Sequence, residues 1–179
     1  MDIQVALKDF LGVWIHSVLE RSCVYPASSF RRRNAYGLTV WENAHPGVAS
    51  YVKRSAERAT QLIVDSDDGG RVGLHVDDES KSVFVLKAHL RKPAPRIDKS
   101  VFHGACGDLL FNIQRLPSMT DKQTEAVCQY SAFRLEFDRY KLDFNSAAGE
   151  SPNVTTDPLG TVNLSHMKIL TYVLRSNPN

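Results

Sequence analysis

Ser165 and His166 are adjacent residues whose types could act as a nucleophile and a general base. They fall in a predicted strand, where neighbouring side chains point to opposite faces, so they cannot form the hydrogen bond that activates a nucleophile. The sequence also lacks the G-x-S-x-G, H-E-x-x-H and P-loop motifs. We therefore expect no catalytic residue. A small α+β hydrolase stays as an alternative, and it would need a cleft that holds convergent titratable groups.

Metal-ligating residue types are present but widely spaced. The three cysteines, Cys23, Cys106 and Cys128, form no C-x-x-C pair, and the six histidines supply no paired ligands. Three aspartates cluster between residues 65 and 68, but the spacing of a calcium-binding EF-hand loop is absent. We expect neither a metal nor another cofactor.

Composition limits the classes of partner. The 179 residues carry 22 Lys and Arg against 20 Asp and Glu, a formal net charge of +2. A charge this close to zero disfavours a broad electrostatic contact with nucleic acid. No apolar run approaches the roughly 18–20 residues of a membrane helix. The length suits one domain with its own core, so we expect a single domain over residues 1–179 with no direct nucleic-acid contact and no membrane contact.

Apolar residues at helical spacing predict three helices that would position any site. The first covers residues 3–20, and its wide apolar stripe indicates burial on more than one side. The second begins at His45-Pro46 and ends near Ile63. The third covers residues 98–116 with Asp98 as its N-cap, and its predicted inner stripe consists of Val101, Ala105, Leu109 and Ile113.

Alternating and continuous apolar runs predict a sheet. Strands are expected at residues 72–76 and 82–86, and residues 124–144 are predicted to form long β structure. Residues 145–161 are small, polar and proline-bearing, which predicts a long loop of the kind that is usually functional or mobile. Residues 164–174 then form a final apolar strand.

Four short motifs of aromatic, apolar and proline residues lie between residues 10 and 63: Phe10-Leu11-x2-Trp14-Ile15-His16-x2-Leu19, Val24-Tyr25-Pro26-x3-Phe30, Tyr36-Gly37-Leu38 and His45-Pro46-x4-Tyr51-Val52. Together they resemble the HORMA domain. The His-Pro pair before Tyr51 looks most like the accessory HORMA subunit of DNA polymerase zeta. Tyr36-Gly37-Leu38-Thr39 is also similar to the HORMA protein of the spindle checkpoint. The resemblance is loose over residues 98–145 and returns at Asp157-Pro158-Leu159 and Tyr172.

The resemblance implies an α+β fold in which three helices pack on an antiparallel sheet. The core would cover about residues 3–144, and a C-terminal "safety belt" with its strand would cover about residues 145–175. In the family this belt crosses over an extended partner peptide that has added its backbone to a sheet edge. Edge pairing suits such a peptide, and a closed belt would slow dissociation more than it speeds association.

Site residues follow from the same resemblance. Those implied to bind the peptide are Tyr51, Leu142, Phe144, Pro152, Asp157 and Pro158. Those implied to form a second partner interface are Leu159, Leu170 and Tyr172. The chain departs from the family in two places: it has no tryptophan after Trp41, where the family begins its belt with one, and Leu170 replaces a polar residue.

The implied function is that of a non-enzymatic adaptor. It would bridge the catalytic and scaffold polymerases of translesion DNA synthesis, with a proline-containing peptide of the catalytic subunit as its ligand. The expected location is the nucleus, with the cytoplasm as an additional location. The alternative is a HORMA signalling protein of the spindle checkpoint or the meiotic chromosome axis. Either function allows a homodimer or heterodimer with another HORMA subunit.

Overall fold

The computed structural model describes residues 1–77, 82–92, 97–116, 132–138 and 154–176 of the chain. These residues form three α-helices, one 3-10 turn and seven β-strands. In chain order they are α1 (Ile3–Arg21), the 3-10 turn (Ala27–Ser29), β1 (Phe30–Ala35), β2 (Leu38–Asn43), α2 (Pro46–Asp65), β3 (Gly70–Asp77), β4 (Val83–Leu90), α3 (Lys99–Gln114), β5 (Ala132–Asp138), β6 (Val154–Leu164) and β7 (Met167–Ser176).

The strands form two antiparallel sheets. One is the β1–β2 hairpin, and the other has five strands in the order β5-β3-β4-β7-β6. The helices pack against the sheets around one large apolar core. The predicted α+β class, with three helices on antiparallel sheets, is therefore confirmed. Within the described part of the chain, no helix is long and apolar enough to cross a membrane.

Helix α1 is the centre of this core. Its large side chains, among them Phe10, Trp14 and Leu11, are fully buried, as the wide apolar stripe predicted. Burying each such side chain stabilises the fold by about 1.5–3 kcal/mol relative to leaving it exposed. The helix begins at Asp2, whose carboxylate accepts hydrogen bonds from the backbone N–H groups of Gln4 and Val5. The packing of α1 against α2, α3 and β2 fixes where these elements lie.

Helix α2 begins where the sequence predicts. His45 is its N-cap, and its Nδ1 accepts from the N–H of Gly47 at 3.2 Å. Pro46 occupies the first helical position, where its missing N–H leaves no hydrogen bond unmade. The core-facing side of α2 buries Val52, Ala56 and other small or apolar residues. This packing turns the opposite side of the helix toward solvent.

The predicted inner stripe of α3 is partly wrong. Asp98 caps the helix as expected, accepting from the N–H groups of Ser100 and Val101. The buried residues, however, are Phe102, Cys106, Gly107, Leu109, Leu110 and Ile113. Val101, which was predicted to face the core, is 55% exposed, and the neighbouring Phe102 is buried in its place.

The C-terminal region departs most from expectation. Residues 154–161, predicted as part of a loop, form most of β6, which pairs with β7 over its whole length. Ser165 and His166 form the two-residue turn of this hairpin and do not lie within a strand. Residues 139–153, which include most of the predicted belt, lie outside the described residues.

Candidate peptide-binding site

Strand β5 is one edge of the five-stranded sheet. It pairs with β3 on one side, from Asp77↔Ala132 to Arg71↔Asp138. No strand in the described ranges pairs with its other side. The outward-facing backbone N–H and C=O groups of such an edge can pair with an added strand. Residues 132–138 contain neither proline nor glycine, so every residue retains a backbone donor.

An aromatic cluster lies beside this edge, on the side of the sheet that faces α2. The ring of Phe133 contacts Tyr25 edge-to-face at a centroid distance of 6.0 Å and Tyr51 at 5.6 Å. All three side chains are half-buried. Tyr25 is held after α1, Tyr51 on α2 and Phe133 on β5. The packing of these elements therefore forms an apolar surface that remains partly open.

Burial favours the protonated hydroxyl of Tyr25. Burial, with a smaller effect from neighbouring Tyr51, raises the pKa of Tyr25 above its ordinary value. A neutral phenol both donates and accepts a hydrogen bond. The cluster thus offers apolar rings with polar tips, a combination common at protein interfaces.

Charged groups border the cluster along the strand. About two helical turns beyond Tyr51 on α2, the guanidinium of Arg58 stacks over the ring of Phe137 at 5.4 Å. On the opposite face of the sheet, Glu136 contacts Nε2 of His75 and the guanidinium of Arg134, each at 2.7 Å. A strand added to β5 would therefore meet aromatic rings on one face and an ion-pair network on the other.

The second sheet edge, β6, is built differently. Pro158 lacks an N–H, and the pairing with β7 shifts register between Pro158 and Gly160. Asp157 is 2.9 Å from the Nε of Arg175 on β7. Proline, a bulge and exposed charge are the devices by which natural sheets prevent an edge from pairing. Of the two edges, β5 is the one suited to receive another strand.

The structure brings together only part of the predicted site. Tyr51 lies beside β5, whereas Asp157 and Pro158 lie on β6, four strands away. At about 4.8 Å per strand this is on the order of 19 Å, so Asp157 and Pro158 cannot contact a peptide paired with β5. Tyr51 and these two residues therefore lie at opposite edges of the five-stranded sheet, and a peptide-binding role for Asp157 and Pro158 stays a prediction. Leu142, Phe144 and Pro152 lie outside the described residues.

The residues implied to form a second interface lie mostly inside the protein. Leu159 is 6% exposed and packs in the main core, and Tyr172 is 2% exposed in a small cluster on the other face of the sheet. Leu170 is half-buried against that second cluster. In this arrangement Leu159 and Tyr172 serve as packing residues. A role for the three in partner binding stays a prediction.

Sequence reasoning missed Tyr25, Phe133 and Arg58 as members of the site. Two of these residues belong to patterns that the sequence does show: Phe133 to the alternating run that predicted a strand, and Tyr25 to the Val24-Tyr25-Pro26 motif. The sequence did not show that the rings of Tyr25 and Phe133 are in contact, because these residues are 108 positions apart in the chain. Among the described residues, no group of three or more His, Cys, Asp or Glu is placed to hold a metal ion.

Comparisons with known proteins rest on structure alone. No family model matches the sequence, and no curated protein matches it. A chain of the mitotic checkpoint complex superposes with a TM-score of 0.71 at 13% identity, over 98% of this chain and 95% of that chain. HTP-2 bound to HTP-3 motif-6 gives 0.68 at 12% identity, over 96% and 89%.

A third match is Caenorhabditis elegans HTP-2 bound to HTP-3 closure motif 1, with a TM-score of 0.65 at 13% identity, over 93% of this chain and 83% of that chain. At such identities the likeness shows the fold. These neighbours are HORMA-domain structures, and they match this chain over nearly its whole length. The chain therefore has the HORMA fold.

Proposed function

We propose that this protein is a peptide-binding adaptor that captures an extended segment of a partner protein at the edge of β5 that no described strand pairs with. The observation that carries the proposal is the contrast between the two sheet edges. Strand β5 keeps its backbone donors and adjoins an open aromatic cluster, whereas β6 carries Pro158 and a bulge. Two of the structural neighbours were solved with a short motif bound, which supports the same mode of action.

The physics of strand addition accounts for both affinity and selectivity. Backbone hydrogen bonds to β5 supply affinity without regard to sequence, and alternate side chains of the peptide supply selectivity. One set of side chains faces Tyr25, Tyr51 and Phe133, which favours apolar or proline residues. The other set faces Arg134 and Glu136. No bond is made or broken, so the adaptor needs no catalytic group and we propose that it is not an enzyme.

Two kinds of partner peptide are candidates for this site. The motifs around Tyr51 favour a proline-containing peptide of a polymerase catalytic subunit, with translesion synthesis in the nucleus as the pathway. The structural neighbours favour the alternative, because they come from the mitotic checkpoint complex and from HTP-2 bound to closure motifs. Clasping of the peptide by the belt, expected to begin at about residue 145, also belongs to the proposal.

A binding assay with two bait peptides tests the proposal. Fluorescence anisotropy would compare a labelled proline-containing polymerase segment with a labelled closure motif, and a random extended peptide library would serve as the unbiased arm. We expect one of these sources to yield a dissociation constant of about 1 μM or tighter. The tighter of the two baits selects the pathway. If neither bait nor any library peptide binds at that level, the adaptor function is wrong.

Replacing Tyr51 with alanine tests the aromatic cluster. The Tyr51→Ala variant should bind the selected peptide about 1–3 kcal/mol more weakly, because a half-buried aromatic anchor is lost. Phe111→Ala is the matched control, since Phe111 is an aromatic residue that is 47% exposed on α3, away from β5. Equal affinities for wild type and Tyr51→Ala would remove the aromatic cluster from the binding site.

A further inference from the structure

A cavity lies on the other side of α2 from Tyr51. It has a volume of about 520 Å³ and opens between α1, the first turns of α2 and the β1–β2 hairpin. No residue of β5 lines it. Its volume falls within the usual range of small-molecule sites, about 300–1,000 Å³. It is therefore a site separate from the peptide edge.

Gly12 keeps this cavity open. It lies in the middle of α1 and lines the cavity, and a Cβ atom added there would meet nothing within 4 Å. Glycine in a helix interior is less stable than alanine. The neighbouring packing does not require glycine here, and the missing side chain leaves space on the cavity side of the helix.

His16 lines the cavity and carries an unused donor. The side chain is only 7% exposed, and its Nδ1 accepts from the backbone N–H of Asn43 at 3.3 Å. Burial lowers the pKa of His16 below its ordinary value, so the ring is neutral. With Nδ1 acting as acceptor, the proton lies on Nε2. The Nε2 donor makes no hydrogen bond with another described residue, and because His16 lines the cavity this donor is available to a ligand.

The cavity is lined by basic side chains that could pair with a bound anion. Glu42 is already shared by Arg31 at 3.6 Å and Arg33 at 4.0 Å. Lys53 makes no ion pair with another described residue. Lys8 and Asp9 also line the cavity; Lys8 lies 4.0 Å from an exposed glutamate on α2, and Asp9 is itself exposed to solvent.

We propose that this cavity binds a small organic anion. The carboxylate or phosphoryl group of the ligand accepts from Nε2–H of His16 and pairs with Arg33 and Lys53. The apolar part of the ligand packs against Val13 and Val52, which also line the cavity. Charge-assisted hydrogen bonds to arginine and lysine are the usual means of holding such groups.

The test uses four probes on the full chain, read by chemical-shift titration in ¹H–¹⁵N NMR. Phenyl phosphate carries both an anion and an apolar body, inorganic phosphate carries the anion alone, and benzyl alcohol carries the apolar body alone. A tripeptide containing phosphoserine represents an acidic side chain of a partner protein. We expect phenyl phosphate to bind with a dissociation constant of about 1 mM or tighter, and at least roughly tenfold tighter than the other three probes.

Two cavity variants and a control locate the binding. Gly12→Met should fill the space and weaken phenyl phosphate binding by about tenfold or more, and Lys53→Gln should weaken it by roughly threefold to tenfold. Gly104→Met is the control, because a Cβ at this exposed α3 glycine also meets nothing within 4 Å. Circular dichroism checks that each variant is folded, and Lys53→Gln keeps the test valid if Gly12→Met does not fold.

Three outcomes would overturn the proposal. The first is the absence of saturable binding of phenyl phosphate. The second is equal binding of phenyl phosphate by wild type and both cavity variants, which would place the ligand elsewhere. The third is binding of inorganic phosphate or of the phosphoserine tripeptide as tightly as phenyl phosphate, which would reassign the cavity to a bare ion or to a partner protein.

Discussion

Gly104 and Gly107 lie three residues apart on α3 and have opposite surroundings. A Cβ added at Gly107 would lie 2.6 Å from the backbone oxygen of Tyr36, in the turn of the β1–β2 hairpin. A Cβ added at Gly104 would meet nothing within 4 Å. Gly107 therefore permits the close approach of helix and hairpin, whereas Gly104 only weakens the helix.

This contrast predicts opposite effects of the same substitution. Gly107→Ala should lower the free energy of unfolding by about 1–3 kcal/mol, because the hairpin backbone must move to admit a methyl group. Gly104→Ala should raise it by about 0.5–1 kcal/mol, through the better helix propensity of alanine. Urea denaturation with unchanged m-values measures both. A stabilised Gly107→Ala variant would contradict the packing described for α3.

The β6–β7 hairpin is held in place by α3. The Nδ2 of Asn112 donates to the backbone oxygen of Leu159 at 2.7 Å, and the side chain of Leu159 is buried. The next residue, Gly160, has a φ of 154°, and a Cβ there would lie 2.7 Å from Leu109. The bulge between Pro158 and Gly160 thus fits directly against the helix.

Removing this hydrogen bond should loosen the hairpin. Asn112→Ala is expected to cost about 0.5–1.5 kcal/mol, since the carbonyl of Leu159 loses its side-chain donor. Amide hydrogen exchange of β6 and β7 should accelerate by roughly twofold to tenfold relative to α1. Gln114→Ala is the matched control, because Gln114 donates its amide to Thr39 on β2 instead. Equal acceleration of β6 in both variants would show that Asn112 does not hold the hairpin.

Helices could be predicted from the sequence because their apolar spacing and caps lie within the helical segment itself. Strands that form only by pairing with a distant strand could not. All three helices lie where apolar spacing and caps such as Asp98 placed them, within a few residues. Most of strand β6 was predicted as loop because Asp157, Pro158 and Gly160 have weak strand preferences. Its structure comes from pairing with β7 and from burial of Leu159 and Val162, and neither is visible in the segment itself. Deleting residues 147–160 should therefore damage the core, because the deletion removes part of β6 together with the buried side chain of Leu159.

At the scale of the whole molecule, the strand order decides what the sheet can bind. The C-terminal hairpin pairs with β4, which places the blunted strand β6 at one edge and leaves β5 at the other. The sequence could predict Tyr51 and the strand that contains Phe133. It could not predict that Asp157 and Pro158 lie at the opposite edge, because strand order depends on contacts between distant parts of the chain. The near-neutral charge of +2 suits a protein that binds peptides by edge pairing.

Amide hydrogen exchange of the chain, alone and with a library-selected peptide, tests this account most directly. Strand pairing requires the outward-facing N–H groups of residues 132–138 to become hydrogen-bonded. We predict that their exchange slows by about tenfold or more on binding, while exchange in β6 is unchanged. Unchanged exchange in β5 with saturating peptide, or protection that appears in β6 instead, would contradict capture at the β5 edge.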